Sequence, residues 1–303
     1  MTSSSSAVKR RTRVTSNQRY FAYFLVAPAM VLFLLVIAYP LVQALAYGFT
    51  NSSLLTDESK FIGLEGLISL LGDAGFWGVV IQTLIFVGVA TGGSFVLALT
   101  MATALNSRIR AVSIWRSGLL IPWLLPGVVV SFLWGWILDT NYGLLNGVIV
   151  WFGGAGGTNW LDSPVFAMIG VILAKIWMTF PWMAVLLLAA LQGVPEEVHD
   201  ASAVDGASGW KKQVYVILPQ IKSAIGLTLL LEAIWGFQHF EIPYVMTGGG
   251  PAGSTTTLAV ELYQAAFERF DLGEAGAIGV VWMVLMSALV ITYLTYMSRE
   301  EKR

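Results

Sequence analysis

Long apolar runs separated by short polar stretches dominate the chain. Each is long enough to cross about 30 Å of hydrocarbon as an α-helix, which takes roughly 20 residues. None shows the alternation of barrel strands, and only helices or closed barrels satisfy their backbone groups in lipid. The pattern predicts an all-α integral membrane protein with six transmembrane helices, at about Phe21–Phe49, Gly78–Leu105, Gly118–Leu138, Val165–Leu191, Ser223–Met246 and Gly276–Tyr296.

Composition agrees with this pattern and excludes several function classes. Of the 303 residues 56% are hydrophobic and 12% charged, and the mean hydropathy is +0.73, whereas a soluble domain carries about 25% charged residues. Cysteine is absent, and the two histidines are predicted on opposite halves of the membrane, so no metal site is expected. No phosphate-binding G-x-x-x-x-G-K-[ST] loop and no catalytic arrangement is present, so neither ATP binding nor enzyme activity is expected.

The distribution of Lys and Arg predicts the orientation. Fourteen of the 17 lie before the first span, between spans two and three, between spans four and five, or after the sixth, which leaves Lys60 and Arg269 outside and Lys175 within a span. The positive-inside rule therefore places both termini in the cytoplasm. An even number of spans requires the same arrangement.

Three parts follow along the chain. Residues 1–19 form a polar, basic cytoplasmic tail expected to be disordered, residues 20–298 the six-helix domain, and residues 299–303 a cytoplasmic tail. The first apolar run exceeds the 7–15 residues of a signal-peptide core, so an uncleaved anchor is favoured. On the outer side, the stretch STTTLAVELYQAAFERF predicts a short helix. It either covers the mouth of the bundle or docks a partner.

Two charged residues lie near the middle of predicted spans, Lys175 in span four and Glu232 in span five. Alone, each would cost about 2.5–3.5 kcal/mol on insertion scales. At 1.5 Å per residue both are ~15–20 Å deep, so they can pair with each other. Such a pair is either purely structural or part of a cavity lining that holds a polar solute.

Aromatic and hydrogen-bonding residues follow in the outer half of span five. Aromatic faces with polar groups commonly hold sugars, although aromatics at the interface are also ordinary anchors, and a glutamate at a helix end is often structural. The candidate pathway residues are Lys175, Trp177, Glu232, Trp235, His239 and Glu241.

The cytoplasmic loop 195–219, PEEVHDASAVDGASGWKKQVYVILP, is unusually polar for this chain. Pro195 suits a first helical position, and acidic residues after it complement the helix dipole. Asp205-Gly206 predicts a turn, because glycine adopts positive φ. A second short helix is expected from about Ser208 to Pro219. The loop is thus a pair of short helices with an acidic, small-residue surface that can fit a groove on another protein.

The loop resembles the signature of permease subunits of binding-protein-dependent ABC importers, Glu-Ala-Ala, three residues, Gly, then about nine residues to Ile-x-Leu-Pro. The chain has Asp200-Ala201-Ser202, Gly206 and Ile217-Leu218-Pro219, with Asp in place of Glu and Ser in place of Ala. The outer segments FEIPYVMTGGGPAGSTTTL and FDLGEAGAIGV are similar to the carbohydrate-importer branch of that family, which includes maltose and glycerol-3-phosphate permeases. The resemblance covers about Arg19 to Tyr296.

The resemblance implies a type I ABC importer permease-like fold in a bacterial-type cytoplasmic membrane. It implies three partners, a cytoplasmic ATPase dimer that binds ATP and magnesium, a second homologous permease and an extracytoplasmic solute-binding protein, with no cofactor in this chain and no nucleic acid. The cargo would be a sugar or polyol-type solute. The implied ATPase-coupling residues are Glu197, Asp200, Ala201, Ser202, Asp205 and Gly206.

A secondary transporter driven by an ion gradient is the alternative function. In that case Lys175 and Glu232 would serve as a proton relay.

Overall fold

The computed structural model describes residues 16–56, 59–106 and 117–300, and these residues are helical apart from loops and isolated bridges such as Thr50–Phe61. The helices are α1 Ser16–Phe33, α2 Tyr39–Tyr47, α3 Glu65–Gly72, α4 Ala74–Leu105, α5 Ile121–Leu124, α6 Gly127–Ile137, α7 Leu144–Trp151, α8 Pro164–Gln192, α9 Glu196–Val204, α10 Gly209–Lys212, α11 Leu218–Gln220, α12 Lys222–Phe237, α13 Glu241–Thr247, α14 Leu258–Tyr263 and α15 Leu272–Glu300. Three π-helical turns join helices, at Leu34–Ala38, Gln213–Ile217 and Gln264–Glu268.

Four of the six predicted spans appear as long apolar helices in the described parts of the chain. They cover Tyr23–Tyr47, Ala74–Leu105, Pro164–Gln192 and Leu272–Arg299. A fifth is counted if the bent pair Gly209–Gln220 and Lys222–Phe237 is taken as one span. The six-span arrangement with both termini in the cytoplasm stays a prediction.

The predicted third span is broken in two, as Pro122 and Pro126 in its sequence lead one to expect. Helix α5 ends at Leu124, Leu125 adopts an extended conformation, and Pro126 precedes the apolar helix α6. Proline disfavours helical conformation in the residue before it, which accounts for the break at Leu125. By contrast α8 continues through Pro181, so that proline does not interrupt span four.

The predicted fifth span also ends earlier than expected. Helix α12 stops at Phe237, and the chain resumes as α13 at Glu241. Pro243 has no N–H for a helical bond to His239, and its ring would clash with the His239 carbonyl, so a continuous helix is disfavoured. At its other end, α12 meets the preceding helical segment at 78°.

The centre of the fold is the contact between α4 and α8. Small residues let the two helices approach closely, as in other membrane bundles. A Cβ on Gly93 would lie 2.5 Å from Ile176 Cδ1. Gly88 and Gly92, the small-residue pair that the sequence suggests for packing, have open space beside them. Buried residues of this core include Ala98, Ala102, Met183, Ala184 and Leu187.

The first span contacts the rest of the fold near its C-terminal end, where α2 packs against α15. A Cβ on Gly48 or Gly276 would overlap the backbone of the other residue, so the two chains touch there. Farther inward the side chains from Tyr23 to Ile37 are exposed. The first span therefore diverges from the bundle.

Several sequence-based predictions fall wholly or partly outside the described residues. These are most of the tail 1–19, the final residues 301–303, and the basic residues Arg108, Arg110 and Arg116, which help to set the predicted orientation.

The contact between Gly48 and Gly276 gives a prediction about stability. We expect Gly276→Ala to lower the free energy of unfolding by about 1–3 kcal/mol, the usual cost of overpacking. Gly88→Ala, with open space beside it, should be neutral or stabilising by up to about 1 kcal/mol through helix propensity. Denaturant unfolding of the two purified variants checks this, and equal stability of both would contradict the tight contact.

Candidate functional site

Lys175 and Glu232 meet inside the bundle and link α8 to α12. Lys175 Nζ lies 3.2 Å from Glu232 Oε1, and the two side chains are 2% and 0% exposed. The Nε1 of Trp182 donates to Glu232 Oε2 at 3.1 Å. Neither charge is therefore alone, as the cost of an isolated charge in hydrocarbon requires.

Trp182 and Trp235 form an aromatic pair beside this ion pair. Their ring centroids are 4.8 Å apart with a 56° angle between the planes. Trp182 is 6% exposed, whereas Trp235 is 44% exposed. The exposed indole of Trp235 thus packs against the buried indole of Trp182, which is held in place by its hydrogen bond to Glu232. An aromatic surface backed by a carboxylate is suited to binding an uncharged polar solute.

A hydroxyl chain extends from the ion pair toward α4. Thr179 Oγ1 donates to the Lys175 carbonyl at 2.9 Å and lies 3.0 Å from Ser94 Oγ. Both hydroxyls are buried. They connect the helix that carries Lys175 to the neighbouring long helix, so three spans meet at this level.

Two further predicted pathway residues, Trp177 and His239, make no hydrogen bond or ring contact with the ion pair within the described part of the chain. Trp177 packs edge-on against Trp134 of α6, with centroids 6.3 Å apart. His239 follows the end of α12, and its Nε2 is buried with no hydrogen-bond partner among the described residues. His239 lies close enough to Lys175 for the two groups to interact electrostatically.

Glu241 occupies the first turn of α13, where an acid complements the helix dipole. Its carbonyl accepts a hydrogen bond from Ser131 Oγ at 3.3 Å. A Cβ on Gly127 would overlap its carboxylate, so glycine there makes room for the side chain. Glu241 therefore joins α13 to α6, in keeping with the structural role that the sequence allows.

Trp182, Thr179 and Ser94 are missing from the sequence-based site. A signal for the first was present, because Trp182 follows Lys175 by seven residues and hence shares its side of the helix after two turns. Ser94 gives no such signal, since it belongs to a different span and reaches the site only through helix packing.

The predicted coupling loop folds as two short helices. Helix α9 starts at Glu196. Pro195 is therefore its N-cap, one residue before the first helical position that the sequence predicts for this proline. It closes with a Schellman motif, in which Ala207 N–H donates to the Ser202 carbonyl and Gly206 N–H to the Ala203 carbonyl. Gly206 has a φ of +73°, which the predicted turn requires and which glycine adopts without steric cost.

The side chains of α9 divide into an exposed set and one buried residue. Ser202 is buried, and its Oγ donates to the His199 carbonyl at 2.7 Å. Lys212 Nζ donates to the same carbonyl at 3.1 Å, which fixes the second helix against the first. The other predicted coupling residues are exposed: Glu197, Asp200, Ala201, Asp205 and Gly206.

The second helix leads from the loop into the membrane bundle. It begins at Gly209, close to the predicted Ser208, and passes through the π-helical turn Gln213–Ile217. Gln213 Nε2 donates to Thr103 Oγ1 of α4 at 3.3 Å. Since π-helical turns often occur at functional positions, this turn is a candidate point of bending between the loop and α12.

The sequence matches the protein family described as "Binding-protein-dependent transport system inner membrane component" over residues 94–301. This region includes α8, the loop and α12. The chain belongs to that family. The resemblance found from the loop motif is confirmed, and the chain is a permease subunit of the inner membrane rather than an enzyme.

Curated relatives cover nearly the whole permease. It is 34% identical over 279 residues to the sulfoquinovosyl glycerol transport system permease protein SmoG of Agrobacterium fabrum, covering 92% of this chain and 90% of SmoG. It is 31% identical to the trehalose/maltose transport system permease protein MalF of Thermococcus litoralis, covering 93% and 96%. The trehalose transport system permease protein SugA of Mycobacterium tuberculosis is 32% identical, with 95% and 92% covered.

A solved structure shares the fold of the permease. In a bacterial alginate ABC transporter crystallised with an alginate pentasaccharide-bound periplasmic protein, one chain superposes with a TM-score of 0.82 at 19% identity, covering 95% of this chain and 96% of that one. The expected ABC importer permease fold is thereby confirmed.

The buried ion pair generates a prediction about the permease. Glu232→Gln leaves the Lys175 charge without a counter-charge, which should cost about 3–5 kcal/mol of stability. Replacing both residues by glutamine should recover a large part of this loss. Thermal unfolding of the purified permease measures it, and the exposed Glu241→Gln serves as the matched control, expected within about 0.5 kcal/mol of the parent. A Glu232→Gln variant as stable as this control would contradict the pairing.

Proposed function

We propose that this permease forms the membrane path for a sugar or related polar solute that moves inward, driven by ATP hydrolysis on separate subunits. The observation that carries the proposal is the half-exposed Trp235, which packs at a tilt against Trp182 next to the Lys175–Glu232 pair. A sugar ring has an apolar face that can stack on the exposed indole of Trp235, and the buried ion pair and Trp182 hold that indole in place.

The relatives support a sugar as the cargo. The printed names of SmoG, MalF and SugA give sulfoquinovosyl glycerol, trehalose/maltose and trehalose as the solutes of their transport systems. Each of these molecules contains a sugar ring. In the permease the cation of Lys175 is already paired with Glu232, so the solute need not supply an anionic group.

In this proposal the cluster of Lys175, Glu232, Trp182 and Trp235 has two functions: its ion pair joins two helices, and its exposed indole contacts the solute. The pair itself is buried, so it holds α8 and α12 together. The solute would contact the accessible Trp235 in front of it, and the path would open along this face. Family membership favours this importer over the ion-gradient-driven alternative, and no observation supports a proton relay through a pair so fully enclosed.

The loop 195–219 would receive the force from the ATPase. Its exposed acids Asp200 and Asp205 form an edge that can enter a groove on another protein, and the apolar Val204 and Trp210 are 88% and 75% exposed. Large exposed apolar side chains next to charges mark interaction surfaces. The partners in this proposal are an ATPase dimer that carries ATP and magnesium, a second homologous permease and an extracytoplasmic solute-binding protein.

Movement of the loop would be transmitted as a rigid-body change. The Schellman motif keeps α9 as one unit, and Lys212 ties α10 to it. Closure of the ATPase dimer would displace this unit and turn α12 about the 78° bend. Because the ion pair fixes α12 to α8, both helices would tilt together and expose Trp235 alternately to each side.

Reconstitution tests the proposed function. The permease, purified with its companion subunits and placed in proteoliposomes, should take up radiolabelled trehalose or maltose only with ATP and the binding protein present. Trp235→Ala should reduce this uptake by at least about tenfold, because each 1.4 kcal/mol of lost contact is a factor of ten. Uptake driven by a proton gradient without ATP, or full uptake by Trp235→Ala, would contradict the proposal.

Gly206 provides a separate test of the coupling loop. Gly206→Pro should abolish ATP-driven uptake while membrane insertion stays normal, because proline cannot adopt positive φ and has no N–H for the Ala203 carbonyl. Gly206→Asn is the matched control, since asparagine is the next most frequent residue in this left-handed position, and it should retain most uptake. Normal uptake by the proline variant would exclude the loop as the coupling element.

A further inference from the structure

Four aromatic rings form a continuous cluster beyond the outer end of α12. Phe240 and Tyr244 stack at 4.7 Å with a 22° angle between their planes. Tyr263 lies 4.8 Å from each of them and 5.1 Å from Phe267. The cluster joins the start of α13 to α14 and the π-helical turn that follows it.

Charged groups surround this aromatic cluster. The hydroxyl of Tyr244 donates to Glu268 Oε1 at 3.0 Å. Next to Glu268, Arg269 binds Glu261 at 2.7 Å and Glu274 at 3.1 Å. Because charged side chains are costly in hydrocarbon, a surface with this many of them faces water rather than lipid.

The exposure of the rings differs from that of a packed core. Phe267, at the edge of the cluster, is 59% exposed, and the other three rings are partly exposed. A cluster that only held the outer segment together would cover Phe267. Instead the ring is left accessible beside the acidic groups.

This surface continues to the proposed solute site. Gln238 follows Trp235 by three residues, which places the two on the same side of α12. Gln238 and Phe267 line one cavity of about 610 Å³, bounded by α2 and α15. Phe267 joins the aromatic cluster to this cavity, and Gln238 joins the cavity to the end of the helix that carries Trp235.

We propose that Phe240, Tyr244, Tyr263 and Phe267, with the Glu268 carboxylate, form an outer sugar-binding subsite that holds a ring of the solute before it reaches Trp235. Phe267 provides an exposed apolar face for the ring. Glu268 accepts hydrogen bonds from ring hydroxyls. The proposal rests on the proposed function, and it adds that the path holds a solute at two places, so an oligosaccharide can occupy both at once.

Photo-crosslinking locates the two sites separately. The probe is maltotriose carrying a diazirine group, added to the importer purified with its companion subunits in lipid nanodiscs. We expect labelled peptides from residues 258–269 and 240–247, and loss of that label with excess unmodified maltotriose. Label on α12 without label on these peptides would overturn the outer subsite and leave the proposed function intact. The absence of competable label from both regions would count against both.

Substitutions then test whether the outer subsite contributes to transport. Phe267→Ala should remove the label from residues 258–269 and lower the amount of maltotriose moved per ATP hydrolysed by about fivefold, comparable to the loss of one aromatic stacking contact. The stimulation of ATP hydrolysis by the binding protein should stay unchanged. Trp151→Ala, at an 80% exposed outer aromatic away from this face, is the matched control and should alter neither quantity. Equal behaviour of the two variants would overturn the proposal.

Discussion

The exclusion of unpaired charge from hydrocarbon governs the centre of this permease. Lys175 and Glu232 sit at a depth where neither is stable alone, so the helices that carry them must meet. Trp182 and the hydroxyls of Thr179 and Ser94 then complete the polar surroundings. The same two helices flank the loop 195–219, so one electrostatic requirement joins the membrane interior to the segment proposed to receive force.

Proline and glycine determine where the helical elements change direction. Pro126 and Pro243 divide spans that are apolar enough to be continuous, and the helices that follow the two breaks, α6 and α13, pack against each other. Gly127 leaves room for Glu241 at one of these contacts. Gly206 ends α9 with the left-handed residue of the Schellman motif. Irregular backbone is tolerated at membrane depth where it is buried in protein, and Gly127 and Pro243, next to the two breaks, are buried.

The sequence predicted those features that depend on local chemistry. The lengths of the apolar runs predicted the four long helices that the structure shows. The signature from Asp200 to Gly206 indicated the family, and the glycine of Asp205-Gly206 predicted the turn. Features that depend on packing between distant segments were not predictable. Gly88 and Gly92 have helix-packing spacing but open space beside them, whereas Gly93 makes the contact, because periodicity does not specify which side of α4 meets α8. Ser94 entered the site in the same way, through an approach of two helices that no spacing within one helix reports.

The contact between the first span and the last long helix constrains the order in which the fold is completed. This contact is made between Gly48 and Gly276, which belong to the first and the last long helices. During synthesis the first helix therefore enters the bilayer well before its docking surface exists. The exposed side chains from Tyr23 to Ile37 are uncharged, so the first helix can stay in lipid before this contact forms. The contact between Gly48 and Gly276 therefore forms late, only after the last long helix has been synthesised.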